Sequence, residues 1–194
     1  MDIDGSRLAP LATGATARRI ATAAGVGLLL ALSAGGVRAS DDALGAKADA
    51  VLNAVRARAA DCGGGPTTVA SGAPGAGAAP ERSRLRWNPL LAQAAARHSG
   101  AMARTRLFDH VGPDGTTVRE RVSATGYRWQ LIGENLAAGH ADLDEAVAGW
   151  MASRSHCAAL LDARYTEFGL ARIESDSPND AYGVYWTLVL GRPR

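Results

Sequence analysis

The chain has 194 residues, 47% hydrophobic and 21% charged, the balance of a globular protein large enough for one real core. Its formal charge is +2, but four arginines and two aspartates fall in residues 1–39. The remainder carries 17 basic and 17 acidic side chains, so nothing electrostatic argues for a nucleic-acid partner.

Read from the start, the basic pair Arg18-Arg19 precedes an apolar run, Ile20–Val37, and then "VRAS", with small residues at Val37 and Ala39. That is the grammar of an export signal cleaved after Ala39, and it predicts a secreted or periplasmic protein with no stable membrane span after processing. A retained anchor is the competing reading, because the run is just long enough to span a bilayer. Only Cys62 and Cys157 follow, and in an oxidising compartment an even count suggests one bridge.

Residues 40–62 predict a helix, with Leu44, Ala48, Val51, Leu52 and Val55 on one stripe. Residues 63–84 read as a Gly/Pro-rich linker, which makes the helix before it an appendage to a folded domain over 85–194. Inside that domain, Asn88 as N-cap and Pro89 at the first helical position open a helix. Its apolar face holds Leu91, Ala94, Ala95, His98 and Met102, so His98 reads as a core histidine. Val111–Thr117 is a turn, and a short helix over Thr117–Thr125 follows. Asp142, three residues before Glu145, starts a further helix with Leu143, Val147, Trp150 and Met151 on its core face. Ser155 is expected to cap a short helix, "HCAALL", with His156 in its first turn, where the helix dipole disfavours imidazolium.

The C-terminal third changes period. Tyr165–Glu174 and Tyr182–Gly191 read as strands joined by the turn cluster "SDSPND". In the last, Tyr182, Val184, Trp186, Leu188 and Leu190 alternate with Tyr185 and Val189, so the strand is apolar on both faces and must be covered on both. The expected fold class is α/β: a three-layer α-β-α sandwich around a central, mostly antiparallel sheet.

Residues able to do chemistry are His110 in "LFDH", Glu134 in "GEN", Ser153 and His156 in "ASRSH". No HExxH, Gly-x-Ser-x-Gly or phosphate-cradling glycine loop is present. In order, "LRWNPLLAQAAARHSGAMA", "FDHVGPDG", "GENLAAG", "VAGWMASRSHCAALL", "YTEFGLA" and "YWTLVLG" resemble the CAP superfamily of cysteine-rich secretory, antigen-five and pathogenesis-related proteins, and most of all its short bacterial SCP-like branch. The resemblance covers residues 85–192. It implies the same sandwich with a cleft holding His110, Glu134, Ser153 and His156, and a divalent metal such as zinc, weakly held by His110 and His156. Ser153 stands where relatives carry a second acid, and Arg154-Ser155 where bacterial relatives carry Pro-Gly. The expected function is a secreted, non-enzymatic binder of a small apolar lipid or cell-wall-associated ligand. The alternatives are a metal-dependent peptidase or esterase with Glu134 as candidate catalytic base, and a protein-interaction module. Tyr127 and Trp129 are candidates for a ligand groove, with core packing as their structural alternative.

Overall fold

A computed structural model of the chain describes residues 34–59, 61–62 and 82–194. Residues 1–33 of the expected signal, which runs to Ala39, and nearly all of the expected linker lie outside the described residues. Among the described residues no helix is long and apolar enough to cross a membrane.

Among the described residues nine elements follow in order: α1 (Ala34–Arg58), β1 (Arg86–Trp87), α2 (Pro89–Thr105), α3 (Val118–Ser123), β2 (Trp129–Ala138), α4 (Leu143–Ala152), α5 (Arg154–Leu161), β3 (Glu167–Glu174) and β4 (Val184–Pro193). The four strands form one sheet in the order β1-β3-β4-β2. β3 and β2 both pair antiparallel with β4, while the short β1 pairs parallel with β3. The sheet is therefore mixed, and β2 lies at its edge.

β4 organises the sandwich. Val184, Trp186, Leu188 and Leu190 join one core cluster with Leu52, Trp150 and Leu160 of α1, α4 and α5. On the opposite face Val189 packs with Leu91 and Val122 of α2 and α3, and Tyr185 with Met102. Alternation along one strand thus feeds two cores, as a strand apolar on both faces requires. Tyr182 departs from the expected alternation: it precedes the strand in a bend and is exposed.

α2 forms as its sequence dictates. The Asn88 side chain accepts from Leu90 N and Leu91 N, Pro89 occupies the first turn, and the stripe through Met102 is buried. α5 differs from expectation. Its N-cap is Ser153 rather than Ser155, and Ser153 makes no side-chain cap bond; its Oγ meets Ser155 Oγ at 3.3 Å. Tyr127 is a core residue, and Trp129 is half-buried at the core's margin. Tyr127 is buried and donates to Glu167 Oε2 at 2.9 Å, and Trp129 packs against the α2–α3 cluster.

The helix read as an appendage belongs to the main core. Ala48 and Leu52 have no exposed surface. α1 begins at Ala34, so the expected cleavage point after Ala39 falls within it, and it ends at Arg58, short of Cys62. Arg56 is also buried. Its Nη1 donates to Leu160 O and Asp162 O at 2.6 and 3.1 Å, and its Nη2 to Ser83 O and Tyr165 O at 2.9 and 3.4 Å. Arg82 donates to Leu161 O, Arg56 O and Ala59 O. Two guanidiniums thus satisfy carbonyls at the C-terminal ends of α1 and α5, where helices leave acceptors without partners.

The Cys62–Cys157 disulfide is present, with a sequence separation of 95. In the chain-entropy model such a loop stabilises the fold by about 4 kcal/mol. Cys62→Ser/Cys157→Ser is expected to lose stability of that order, read as a lower urea midpoint. Reduction of the wild type should reproduce the shift, and a midpoint unchanged on reduction would contradict it.

Candidate functional site

The edge position of β2 decides what gathers around it. Successive side chains of a strand point to opposite faces. Glu134 turns toward the α2–α3 layer, and Asn135, next along, donates from Nδ2 to His156 O of α5 at 2.9 Å. One dipeptide therefore engages both helical layers where the sheet ends.

Glu134 is a buried carboxylate, its side chain 2% exposed. Its Oε1 accepts from His110 Nδ1 at 2.9 Å, and its Oε2 from Arg121 Nη2 at 2.8 Å. Arg121, itself buried, also donates to Thr116 O at 2.6 Å and His110 O at 3.0 Å. The arginine ties the 110–116 turn to the strand while neutralising the carboxylate. His98 completes the cluster from α2: its Nε2 is 2.9 Å from Asp109 O and 4.0 Å from Glu134 Oε1. Buried charges of this kind are tolerated because each is paired and hydrogen-bonded.

Of the four residues expected in the cleft, His110 and Glu134 are in direct contact. His156 stands close enough that the His110 charge acts on it. Among the described residues the Ser153 hydroxyl meets the side chain of Ser155 alone. Arg121 was not among the residues expected in the cleft. Its signal was present in the spacing of Val118, Arg121 and Val122, which puts the arginine on the buried stripe of a short helix.

The electrostatics separate the histidines. The hydrogen bond to Glu134 raises His110 above its ordinary 6.5, against the opposing effect of burial. Burial lowers His98 despite the nearby Glu134 charge. Burial, then repulsion from His110, lowers His156, so desolvation rather than the helix dipole is the main cause. His110 therefore contributes stability that is complete below pH 6.5 and lost as pH rises through its raised folded value. His98 and His156 contribute stability that is complete above pH 6.5 and lost as pH falls through their lowered values. In chelator-treated buffer, NMR titration of the imidazole Cε1 protons should place His110 above 6.5 and His156 below it. The reverse order would contradict this geometry.

Metal chemistry can be tested against the donor set. Among the described residues no group of three or more His, Cys, Asp or Glu side chains is placed to hold a metal ion. Both Glu134 oxygens are already committed to cations, and His110 Nδ1 is committed to Glu134. The imidazoles of His110 and His156 remain as donors, one short of the three protein ligands of a catalytic zinc site. The residues do not fit such a centre. The Glu134–His110 contact instead has the form of a carboxylate orienting an imidazole.

Apolar surface flanks the cluster. Leu107, Phe108, Val111 and Tyr182 are each between 41% and 46% exposed, and Phe108 lies against Tyr182 with ring centroids 5.7 Å apart. Three of the four come from the loop that carries His110, and large apolar side chains grouped in this way mark contact surfaces. A separate groove between α1 and α4, about 720 Å³, is lined by Val51, Val55 and Met151 among others.

Comparison with known proteins places this architecture. The model of the cysteine-rich secretory protein family, CAP, matches residues 50–190. The uncharacterized membrane protein YlbC of Bacillus subtilis (strain 168) is 33% identical over 88 residues, 45% of this chain and 25% of that protein. The chain thus spans a quarter of that relative. Among solved structures, an extracellular protein containing a SCP domain from Bacillus anthracis str. Ames superposes with a TM-score of 0.60 at 23% identity, over 83% of this chain and 44% of that one. An outer surface protein from Borrelia burgdorferi superposes with a TM-score of 0.52 at 22% identity, over 58% of this chain and 80% of that one. At these identities the structural likeness concerns the fold alone.

Proposed function

The chain belongs to the cysteine-rich secretory protein (CAP) family, and from that premise we propose that it is an extracytoplasmic, non-enzymatic binding domain that takes the acyl chain of a lipid or lipid-bearing cell-envelope component. One observation carries the reading. The apolar wall of Leu107, Phe108, Val111 and Tyr182 is exposed beside His110, while the carboxylate that would act as a base is locked between Arg121 and His110. Burial of such side chains contributes on the order of 1.5–3 kcal/mol each, enough for a few of them to hold an alkyl chain. His110, exposed and held toward its charged form, stands at the rim to meet an acidic headgroup. Export is supported by the signal-like N-terminus, by the disulfide, and by structural relatives described as extracellular or outer-surface proteins. The imidazoles of His110 and His156 would hold a divalent ion only weakly.

The test is displacement of a fluorescent long-chain fatty acid from the wild type and from Phe108→Ser/Tyr182→Ser. Saturable binding weakened at least tenfold in the variant supports the reading. Equal binding in both proteins, or none in the wild type, overturns it. Turnover of ester or peptide substrates lost in Glu134→Gln would replace it with hydrolysis.

A further inference from the structure

A pocket of about 550 Å³ opens between α2, the 112–116 turn and α3, and none of the four apolar wall residues beside His110 lines it. Its volume lies in the range of small-molecule sites. Charge is divided between its walls. From α2 come Arg97 and Arg104, seven residues apart on one helix face, with the small Ala101 between them. Both are exposed, and neither makes a hydrogen bond or ion pair among the described residues. Asp114 and Glu120 come from the opposite wall. Asp114 is oriented by Thr116 N and Oγ1, and Glu120 by Thr117 N and Oγ1. These local bonds fix where the negative charge stands without neutralising it. Arg121, also on the lining, is already neutralised by Glu134.

His98 also comes from α2. It is 1% exposed, lines the pocket, and keeps a buried Nδ1 with no hydrogen-bond partner. Its Nε2 faces the Asp109 carbonyl, which can only accept, so the ring proton sits on Nε2 and Nδ1 is an unused acceptor. Buried polar atoms in folded proteins are almost always satisfied. The unsatisfied ring marks the lining as polar, and guanidiniums without partners on one wall facing oriented carboxylates on the other match a ligand that brings an anion for one wall and a cation for the other.

We propose that this pocket is a second binding site, specific for a small zwitterion: an amino acid or short peptide whose carboxylate lies between Arg97 and Arg104 and whose ammonium faces Asp114 and Glu120, with His98 beneath it in the lining. A simple anion would meet two carboxylates, and a simple cation two arginines, so neither matches both walls. The site stands apart from the acyl-binding reading, and its test is separate.

The experiment is an NMR titration of the full-length, oxidised protein with alanyl-alanine bearing free termini, beside its N-acetylated and C-amidated forms. Arg97→Gln/Arg104→Gln serves as the variant, since both side chains are exposed and unpartnered; far-UV CD and a wild-type urea midpoint verify its fold. The expected result is saturable shifts at Ala101, Thr116 and Ala124, affinity at least tenfold lower in the variant, and weaker binding of both blocked peptides. Absence of saturable shifts in the wild type, or equal affinity in the variant, overturns the site. Full affinity for the N-acetylated peptide overturns the zwitterion assignment.

Discussion

Glu134→Ala is expected to destabilise the protein by about 3–5 kcal/mol, the cost of leaving the other member of a buried ion pair without its partner. Arg121 would keep its charge in a buried setting, with only the carbonyls of Thr116 and His110 to receive its protons. Glu134→Gln should lose less, because the amide oxygen still accepts one bond while the counter-charge is gone. Arg121→Met/Glu134→Leu should recover part of the loss but not all of it, since the two carbonyls on the turn lose their donor. Urea midpoints of the single and double variants beside the wild type form a double-mutant cycle, and additive single effects would contradict the coupling. A second readout separates positioning from bulk stability. In Glu134→Gln the His110 titration should fall back toward 6.5, because the hydrogen bond to the carboxylate is the main cause of its elevation.

The other large effect is expected at Gly169 of β3, where α2 meets the sheet. A Cβ placed there lies 2.0 Å from Ala92 N and 2.2 Å from Leu91 C. Both are backbone atoms, so no rotamer change relieves the clash, and α2 as a whole must move off the strand. Gly169→Ala should cost about 3 kcal/mol, at the upper end of overpacking. The loss should appear as a lower urea midpoint with the slope unchanged. Gly100→Ala, in the helix that packs there, is the control. Its Cβ would meet only the flexible Arg104 Nη1 at 3.2 Å, and alanine is the better helix former, so stability should hold or rise slightly. Equal losses in the two variants would contradict close backbone packing at Gly169. Displacement of α2 carries His98 with it, so Gly169→Ala should also broaden the His98 resonance.

The sequence disclosed some parts of this molecule far better than others, for physical reasons. α2 was readable because its cap, its proline and its apolar stripe all agree locally. β4 was readable because a run of large apolar residues leaves no face for water. β2 was not. Gly133, Glu134 and Asn135 interrupt its alternation, and the strand exists through its ladder with β4, where Glu134 pairs Val189 and Asn135 pairs Leu188. The residues that hid the strand are those that build the site. Arg56 and Arg121 were hidden in a related way: an arginine beside an apolar stripe ordinarily snorkels to water, and only the folded chain supplies the carbonyls and the carboxylate that bury these two. The glycine- and proline-rich stretch after Cys62 suggested a detached helix. The stripe from Leu44 to Val55 was the better guide, because an apolar face of that length needs a core to lie against.

The family resemblance implied that His110 and Glu134 share one cleft; their direct contact is a finding of the structure, and it gives each a role. Glu134 neutralises Arg121 and aims the imidazole, while His110 stands at the rim of an apolar wall. The measurement that tests this account most directly is an NMR titration of the labelled protein with a sixteen-carbon fatty acid below its micelle concentration. The account predicts saturable shifts confined to Leu107–Val111, Tyr182 and the His110 ring. Shifts centred instead on Val51, Val55 and Met151, in the groove between α1 and α4, or no saturable shift at any residue, would contradict it.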